Sequence, residues 1–349
     1  MLKSILLHNF RSYKKENFEF SPEVTLIIGK NTAGKSNLIE AIYFISHGKS
    51  FRTDKDTEAI RNGVNVAKIA SETESDTLEV VLSTIPGKFG KKLLINGVSK
   101  RKIDFIGNLP SVLFSPQDLD LITGSPGLRR NFLDEVLEQT DRDYRFASIN
   151  YSKALRQRNS LLEKVKNTGF KNFSEFSYWD NLLISNGNIL TNKRQEFIDF
   201  VNDQKKKLFE FKMIYDESTI SVERLAQYKE AEEASGLTLV GPHRDDFRLE
   251  IKSSFAKASD GQGMSVKNYG SRGQQRLSVL QLKLLQLDFL EKNLGARTTL
   301  LLDDIFSELD EGHILHVLSL VQSQQTIITT THEEFIPQKL KRGLKIIQI

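Results

Sequence analysis

Eight residues limit what this chain can fold into more than any others. Gly29-Lys30-Asn31-Thr32-Ala33-Gly34-Lys35-Ser36 fit the pattern G-x-x-x-x-G-K-[ST]. Ahead of them Val24-Thr25-Leu26-Ile27-Ile28 is an apolar, β-branched run, which predicts a buried strand. Behind them Leu38, Ile39, Ala41, Ile42 and Ile45 recur at helical spacing. Strand, glycine loop and helix in that order predict a phosphate cradle. Glycines let successive backbone N–H groups turn toward one anion, and the helix adds the positive end of its dipole. Gly29 to Ser36, with Asn37 beside them, are therefore candidate nucleotide-binding residues. Lys35 would reach the β- and γ-phosphates and the Ser36 hydroxyl would ligate Mg²⁺. An incidental Gly/Lys turn is the competing reading, and it leaves the flanking strand and helix unexplained.

Such a loop needs a carboxylate at the end of a neighbouring buried strand to hold the metal. Thr299-Leu300-Leu301-Leu302-Asp303-Asp304 supplies one. Asp303 is the candidate metal residue, acting through water, and Asp304 the candidate for polarising the attacking water. Taken alone, the two aspartates also fit a helix N-cap after a strand. Asp303 comes 268 positions after Lys35, which predicts a large insertion between the two halves of the site.

Ser271-Arg272-Gly273-Gln274-Gln275-Arg276 open a long helical pattern that runs from Gln274 to about Asn293. Ser271, Gly273 and Gln274 are candidates for a second anion site at a helix start. Two such elements on one chain make sense if two copies sandwich ATP head to tail, Ser271 of one meeting the γ-phosphate held by the other. Ser307-Glu308-Leu309-Asp310 would line the same interface. In isolation the segment equally fits a plain capped helix.

Texture along the chain predicts three blocks. Residues 1–124 carry strand signals: Leu2 to Leu7, Phe18 to Phe20, Lys68 to Ile85, Lys91 to Ser99 with an Asn96-Gly97 hairpin turn, and Val112 to Phe114. In residues 125–236 strand signals vanish, and an inserted helical domain is expected. Between Tyr151 and Ile214 there are 12 Lys/Arg against 7 Asp/Glu, which fits either solvated helix faces or a DNA-facing surface. Residues 237–349 return to strands at Leu237 to Val240, Phe247 to Ile251, Thr298 to Leu302 and Thr326 to Thr330, with a helix at Ile314 to Val321 and a polar loop at Ser253 to Gly263.

Composition narrows the function classes. With 0 cysteines there are no disulfides, thiolate zinc sites or cysteine nucleophiles. The 39% hydrophobic and 27% charged content is that of a soluble globular chain, and no apolar run reaches membrane-spanning length. We read no signal peptide at Met1 to Leu7, and a cytoplasmic location is expected. A net charge of +4 permits nucleic-acid binding without requiring it.

The order of glycine loop, distant S-x-G-Q-Q, LLLDD and S-E-L-D resembles ABC-type ATPase heads, including those of the structural-maintenance-of-chromosomes proteins. Further strings resemble the RecF family of bacterial recombination mediators: Asn31 to Ile42, Gly48 to Thr53, Leu113 to Leu119, and Gly124-Ser125-Pro126 with Arg129-Arg130 and Phe132-Leu133-Asp134. Gly241-Pro242-His243-Arg244-Asp245-Asp246 and Leu302 to Asp310 complete the set. The resemblance runs from residue 1 to residue 349.

It implies an α/β fold, an ABC-type P-loop ATPase head with mixed β-sheets plus an inserted helical domain. It also implies an ATP- and Mg²⁺-dependent protein that dimerises on single-stranded, gapped or duplex DNA and hydrolyses ATP slowly. Such a protein works with RecR and RecO to load recombinase at gaps, and serves replication restart and the SOS response. By resemblance Gln117 sits near the Q-loop position, Ser271 to Gln275 form the signature, and His332 falls where ABC proteins carry a switch histidine. This chain departs from the family at Thr32, where glycine is usual and the loop becomes stiffer, and at Ser36, where threonine is more usual. Ser253 to Gly263 resembles a lineage-specific loop. The rival readings are a transport ATPase head, which would need a membrane partner, and an ATP-gated scaffold in which hydrolysis plays no part.

Overall fold

The apolar runs around the glycine loop become the central strands of one sheet in the computed structural model, which describes residues 1–84, 87–169, 173–251, 263–305, 312–313, 324–331 and 344–349. The chain divides into two units, residues 1–118 with 279–349, and residues 119–278.

Two sheets build the first unit. One is antiparallel, in the order β2 (Tyr13–Glu19), β1 (Leu2–Phe10), β4 (Val66–Thr73), β5 (Thr77–Ser83), β6 (Gly90–Ile95) and β7 (Val98–Lys100). The other is wholly parallel: β14 (Lys345–Gln348), β3 (Val24–Ile28), β13 (Thr326–Thr330), β12 (Thr299–Leu302) and β8 (Ser111–Phe114). The parallel strands read as continuous apolar or β-branched runs because both faces are covered; β8, β12 and β13 are buried at every position. The antiparallel strands alternate instead, so Ile69, Val80, Leu82 and Leu93 point into the core while their neighbours face outward.

Helix α1 (Lys35–His47) joins the same core as the inner faces of both sheets, which explains why 11 of its 13 residues are buried rather than a single stripe. Gln325 ties the two sheets together. Its fully buried amide accepts from Leu2 N (2.8 Å) and donates to Leu2 O (2.7 Å) and Ser21 O (2.9 Å). Asn96 and Gly97, at φ 51° and 75°, form the predicted β6–β7 turn.

The second unit contains α2 (Pro126–Thr140), α3 (Arg142–Thr168), α4 (Phe173–Asp203) and α5 (Val222–Ser235), with a three-stranded sheet ordered β11 (Met264–Ser265), β10 (Asp246–Ile251) and β9 (Lys212–Asp216). Two expectations are corrected. The stretch expected to lack strands contains β9, whose partner β10 lies beyond residue 236; this pairing keeps 237–278 with the helices. Leu237 to Val240, expected as a strand, is irregular. Its backbone is satisfied by side chains: Thr238 N donates to Asn159 Oδ1 and Leu239 N to Glu232 Oε1, both at 2.8 Å. Helix α6 (Arg272–Leu294) starts in the second unit and ends in the first. The helix expected at 314–321 and most of the loop at 253–263 lie outside the described residues.

Two of the 12 cations between Tyr151 and Ile214, Arg158 and Arg194, are buried in ion pairs rather than displayed on helix faces. Near them His243 accepts at Nδ1 from the Tyr151 hydroxyl (2.7 Å) because its Nε2–H is directed to the Thr238 carbonyl (3.0 Å). Burial, and then the charges of Arg244, Arg130 and Arg158, push its pKa down to about 4 against the partial support of that carbonyl. An unfolded chain takes up this proton near pH 6.5, before the folded one does. The imidazole's contribution is therefore complete above about pH 6.5 and is lost as pH falls toward about 4. Between about pH 7 and 4 the stability of the wild type, measured by melts, should fall by about 3 kcal/mol more than that of His243→Gln. Parallel curves would show that His243 is not neutral in the folded state.

Candidate nucleotide-binding site

In the parallel sheet Ile28 pairs with Thr330, Ile328 with Leu302, and Leu302 with Phe114, so the carboxyl ends of four strands share one edge. The glycine loop leaves β3 there, Asp303 and Asp304 leave β12, and Gln117 lies in the one-turn helix after β8. Ligands of open α/β sheets bind at that edge.

The loop is pinned from several sides. A Cβ at Gly29 would stand 2.7 Å from Ile349 O, and one at Gly34 2.8 Å from the Tyr13 hydroxyl oxygen, which itself donates to Gly34 O at 3.1 Å. Gly34 takes φ 116°, which only glycine adopts without strain, and ends the loop as the N-cap of α1. No side chain caps that helix, so its first-turn N–H groups remain for an anion. Lys35 Nζ donates to Gly29 O (2.7 Å) and Lys30 O (3.0 Å), folding its ammonium across the loop. Burial lowers the Lys35 pKa, opposed by the charges of Asp304 and Asp303. Thr32 sits at φ 70°, where a β-branched side chain is strained and glycine would not be. The departure from the family pattern therefore falls at a left-handed position.

The two halves of the site meet although 267 positions separate them. Ser36 Oγ lies 3.2 Å from Asp303 Oδ1, and Thr329 Oγ1 donates to the same oxygen at 2.7 Å. Thr329 Oγ1 also accepts from Asp304 N (2.9 Å), holding Asp304 at φ 52°. Burial raises the Asp303 pKa, and the hydroxyls of Thr329 and Ser36 pull it back. A hydroxyl and a buried carboxylate at this spacing suit a hard divalent cation that takes its remaining ligands from phosphate and water. Among the described residues no cluster of three acidic or histidine side chains offers a rival site.

Three contributors were not singled out from the sequence. Thr329 looked like a strand residue, and only its hydroxyl within an apolar run marks it. Tyr13 gave no signal before Gly34 was seen against it. Glu40, fully buried on α1, receives Arg11 Nη2 at 2.6 Å, Ser50 Oγ at 2.5 Å and Arg52 Nη1 at 3.4 Å, while Arg52 Nη1 also donates to Asn37 Oδ1 at 2.7 Å. The Gly48 to Thr53 string thus anchors to the helix that follows the glycine loop. Ser271, Gly273 and Gln274 are exposed in the second unit. Ser271 Oγ accepts from Gln274 N (3.3 Å) and Gln274 Oε1 from Ser271 N (2.9 Å), a capping box. His332 and Ser307 to Asp310 lie outside the described residues.

A family model described as the RecF/RecN/SMC N terminal domain matches residues 1–348. The DNA replication and repair protein RecF of Shouchella clausii (strain KSM-K16) is 34% identical over 354 residues, covering 95% of this chain and 92% of its own. The chain belongs to the RecF family. The RecF of Cyanothece sp. (strain PCC 7425 / ATCC 29141) is 33% identical, with 100% of this chain and 96% of its own covered. A solved structure of the recombination mediator protein RecF-ATPrS in the RecFOR pathway superposes with a TM-score of 0.87 at 30% identity, over 100% of this chain and 96% of that one. The Smc head domain of Pyrococcus yayanosii, at 13% identity and a TM-score of 0.53, shares the fold alone. The ABC-type head read from the motifs is therefore the fold of this chain and of its RecF relatives.

Proposed function

We propose that this chain is an ATP-binding, slowly hydrolysing protein of recombinational DNA repair and replication restart, whose ATP-bound form dimerises head to tail on DNA. The observation that carries the reading is the convergence of Ser36 and Asp303 from opposite ends of the chain on one sheet edge. RecF relatives named for DNA replication and repair, and a RecF solved with ATP, support the ligand and the process.

In this reading the first-turn N–H groups of α1 and the Lys35 ammonium hold the β- and γ-phosphates. Ser36 and Asp303 hold Mg²⁺, which would neutralise charge on the transferred phosphoryl group. Asp304 polarises the attacking water, with Gln117 at the same edge and His332 in the switch position. Ser271, Gly273 and Gln274 of a second copy close over the γ-phosphate, the Ser271 O–H donating to a phosphate oxygen while its oxygen still accepts from Gln274 N. Hydrolysis then releases the dimer from single-stranded, gapped or duplex DNA. RecR and RecO are the expected partners in loading recombinase, with support of the SOS response following from that, in the cytoplasm.

Sedimentation of the wild type and Lys35→Met, with and without ATP–Mg²⁺ and duplex DNA, tests this. The wild type should double in mass with ATP and retain DNA, and Lys35→Met should do neither. Two proteins that stay monomeric and bind DNA equally would remove ATP as the gate.

A further inference from the structure

The solvent-facing side of the antiparallel sheet carries an arrangement that the nucleotide site does not use. Inward-pointing residues of each strand enter the core, so the alternate residues form rows across the outer face. In one row the registered partners run Lys15, His8, Lys68, Val81 and Lys92, from β2 through β1, β4 and β5 to β6. Four of those five positions are Lys or His. The row continues toward the β6–β7 hairpin, where residues 88–102 contain six Lys/Arg and no Asp/Glu. Lys88, Lys92 and Lys100 are exposed there.

Two rows further along the same face Glu19, Ser4, Glu72 and Thr77 are aligned, with Lys345 bound to Glu19 at 3.1 Å. The cations of this face are therefore concentrated on one side, while on the other Glu19 and Glu72 offset Lys345 and Lys3. Neighbouring strands lie about 4.8 Å apart, so Lys15 and Lys92, four strand spacings from each other, are about 19 Å apart. Phosphates of one duplex strand recur about every 3.4 Å of axis, so the row spans roughly five to six steps, about half a turn. Glu79 touches the row at 2.7 Å from Lys68, and in the hairpin segment Lys91 is held by Asp56 (2.6 Å) and Arg101 by Asp104 (3.0 Å). An exposed pair of that kind is worth about 1 kcal/mol or less and yields readily to a phosphate.

We propose that this row, Lys15, His8, Lys68 and Lys92 with the β6–β7 hairpin, is a track for the phosphate backbone of duplex DNA. The inference rests on the DNA-binding reading above and adds the surface to it. A row of cations on flat sheet, without aromatic side chains between them, reads charge spacing and not sequence. The far row, where Glu19 and Glu72 offset Lys345 and Lys3, gives phosphate no net attraction and sets the limit of the footprint.

The test compares ATP-dependent binding of a random-sequence duplex across a salt series for three proteins. These are the wild type, the triple variant Lys15→Gln, Lys68→Gln, Lys92→Gln, and the double variant Lys3→Gln, Lys345→Gln. The last removes cations from the far end of the same face. Neutralising one phosphate-bound lysine should flatten the log–log salt slope by about 0.9, so the triple variant should flatten it by roughly 3 and the double variant not at all. Nucleotide affinity and melting temperature, measured in parallel, should match in all three. A triple variant with the wild-type slope overturns the track while leaving DNA binding in place. Equal flattening in both variants would mean that net charge matters and the row does not. A wild type that binds no duplex at any salt overturns the DNA-binding reading itself, and the track with it.

Discussion

Replacing Asp304 with asparagine is expected to lower ATP turnover by roughly 10²–10⁴-fold while ATP still binds and dimers accumulate. The change is nearly isosteric, so the backbone at φ 52° and its N–H bond to Thr329 Oγ1 at 2.9 Å are retained. What goes is the negative charge beside the position an attacking water would take. Asp303 is a different case. Its Oδ1 already receives the hydroxyls of Ser36 and Thr329, which on the proposed reading keeps it for the metal and the loop. Two adjacent carboxylates thus have separate environments, one fixed by hydroxyls and buried, the other half-exposed at φ 52°. Phosphate release and sedimentation measured on one preparation separate the outcomes. Turnover within about threefold of the wild type would remove Asp304 as the water-polarising group. A simultaneous loss of ATP binding would mean that its charge holds Lys35 or the metal in place.

The strands of the parallel sheet and the loop between them were legible because burial on both faces leaves an unmistakable apolar run, and because phosphate chemistry demands glycines and a lysine at set spacing. The pairing of Asp303 with Ser36 was legible only as a chemical requirement, since nothing local in a chain reports a neighbour 267 positions away. β9 was missed for the opposite reason. Lys212-Met213-Ile214-Tyr215-Asp216 sits among helical segments, and its strand character comes from pairing with β10 beyond the expected boundary. Leu237 to Val240 looked like a strand by propensity, but Asn159 and Glu232 claim its N–H groups first. The strings at Gly241 to Asp246 and at Arg129 to Asp134 were visible as family motifs with no role attached. They prove to be neighbours: Arg129 grips Asp246, and Arg130 Nη1 donates to Asp245 O at 2.9 Å.

That cluster should dominate the stability of the second unit. Asp245 is fully buried, and its carboxylate accepts from Arg194 Nη1 (2.8 Å), Ser218 N (2.7 Å) and the Tyr215 hydroxyl. Arg194 also reaches Asp134 (2.8 Å), Pro242 O (2.7 Å) and the Tyr144 hydroxyl (3.0 Å), joining α2, α3 and α4 to the segment before β10. Arg194→Met preserves much of the packed stem but leaves the fully buried Asp245 carboxylate without its cation. Orphaning one partner of a buried ion pair costs about 3–5 kcal/mol. Arg194→Lys should recover little, because a single ammonium cannot occupy four directions that a planar fork satisfies at once. The sole tryptophan makes the measurement specific. Trp179 packs against the cluster of Leu161, Leu162 and Phe176 within this unit, so its fluorescence in urea follows this unit. Wild-type and Arg194→Met curves should separate by several kcal/mol at equal slope. A difference under about 1 kcal/mol would mean that the bonds of Ser218 and Tyr215 suffice to hold Asp245, and that the arginine fixes geometry without setting stability.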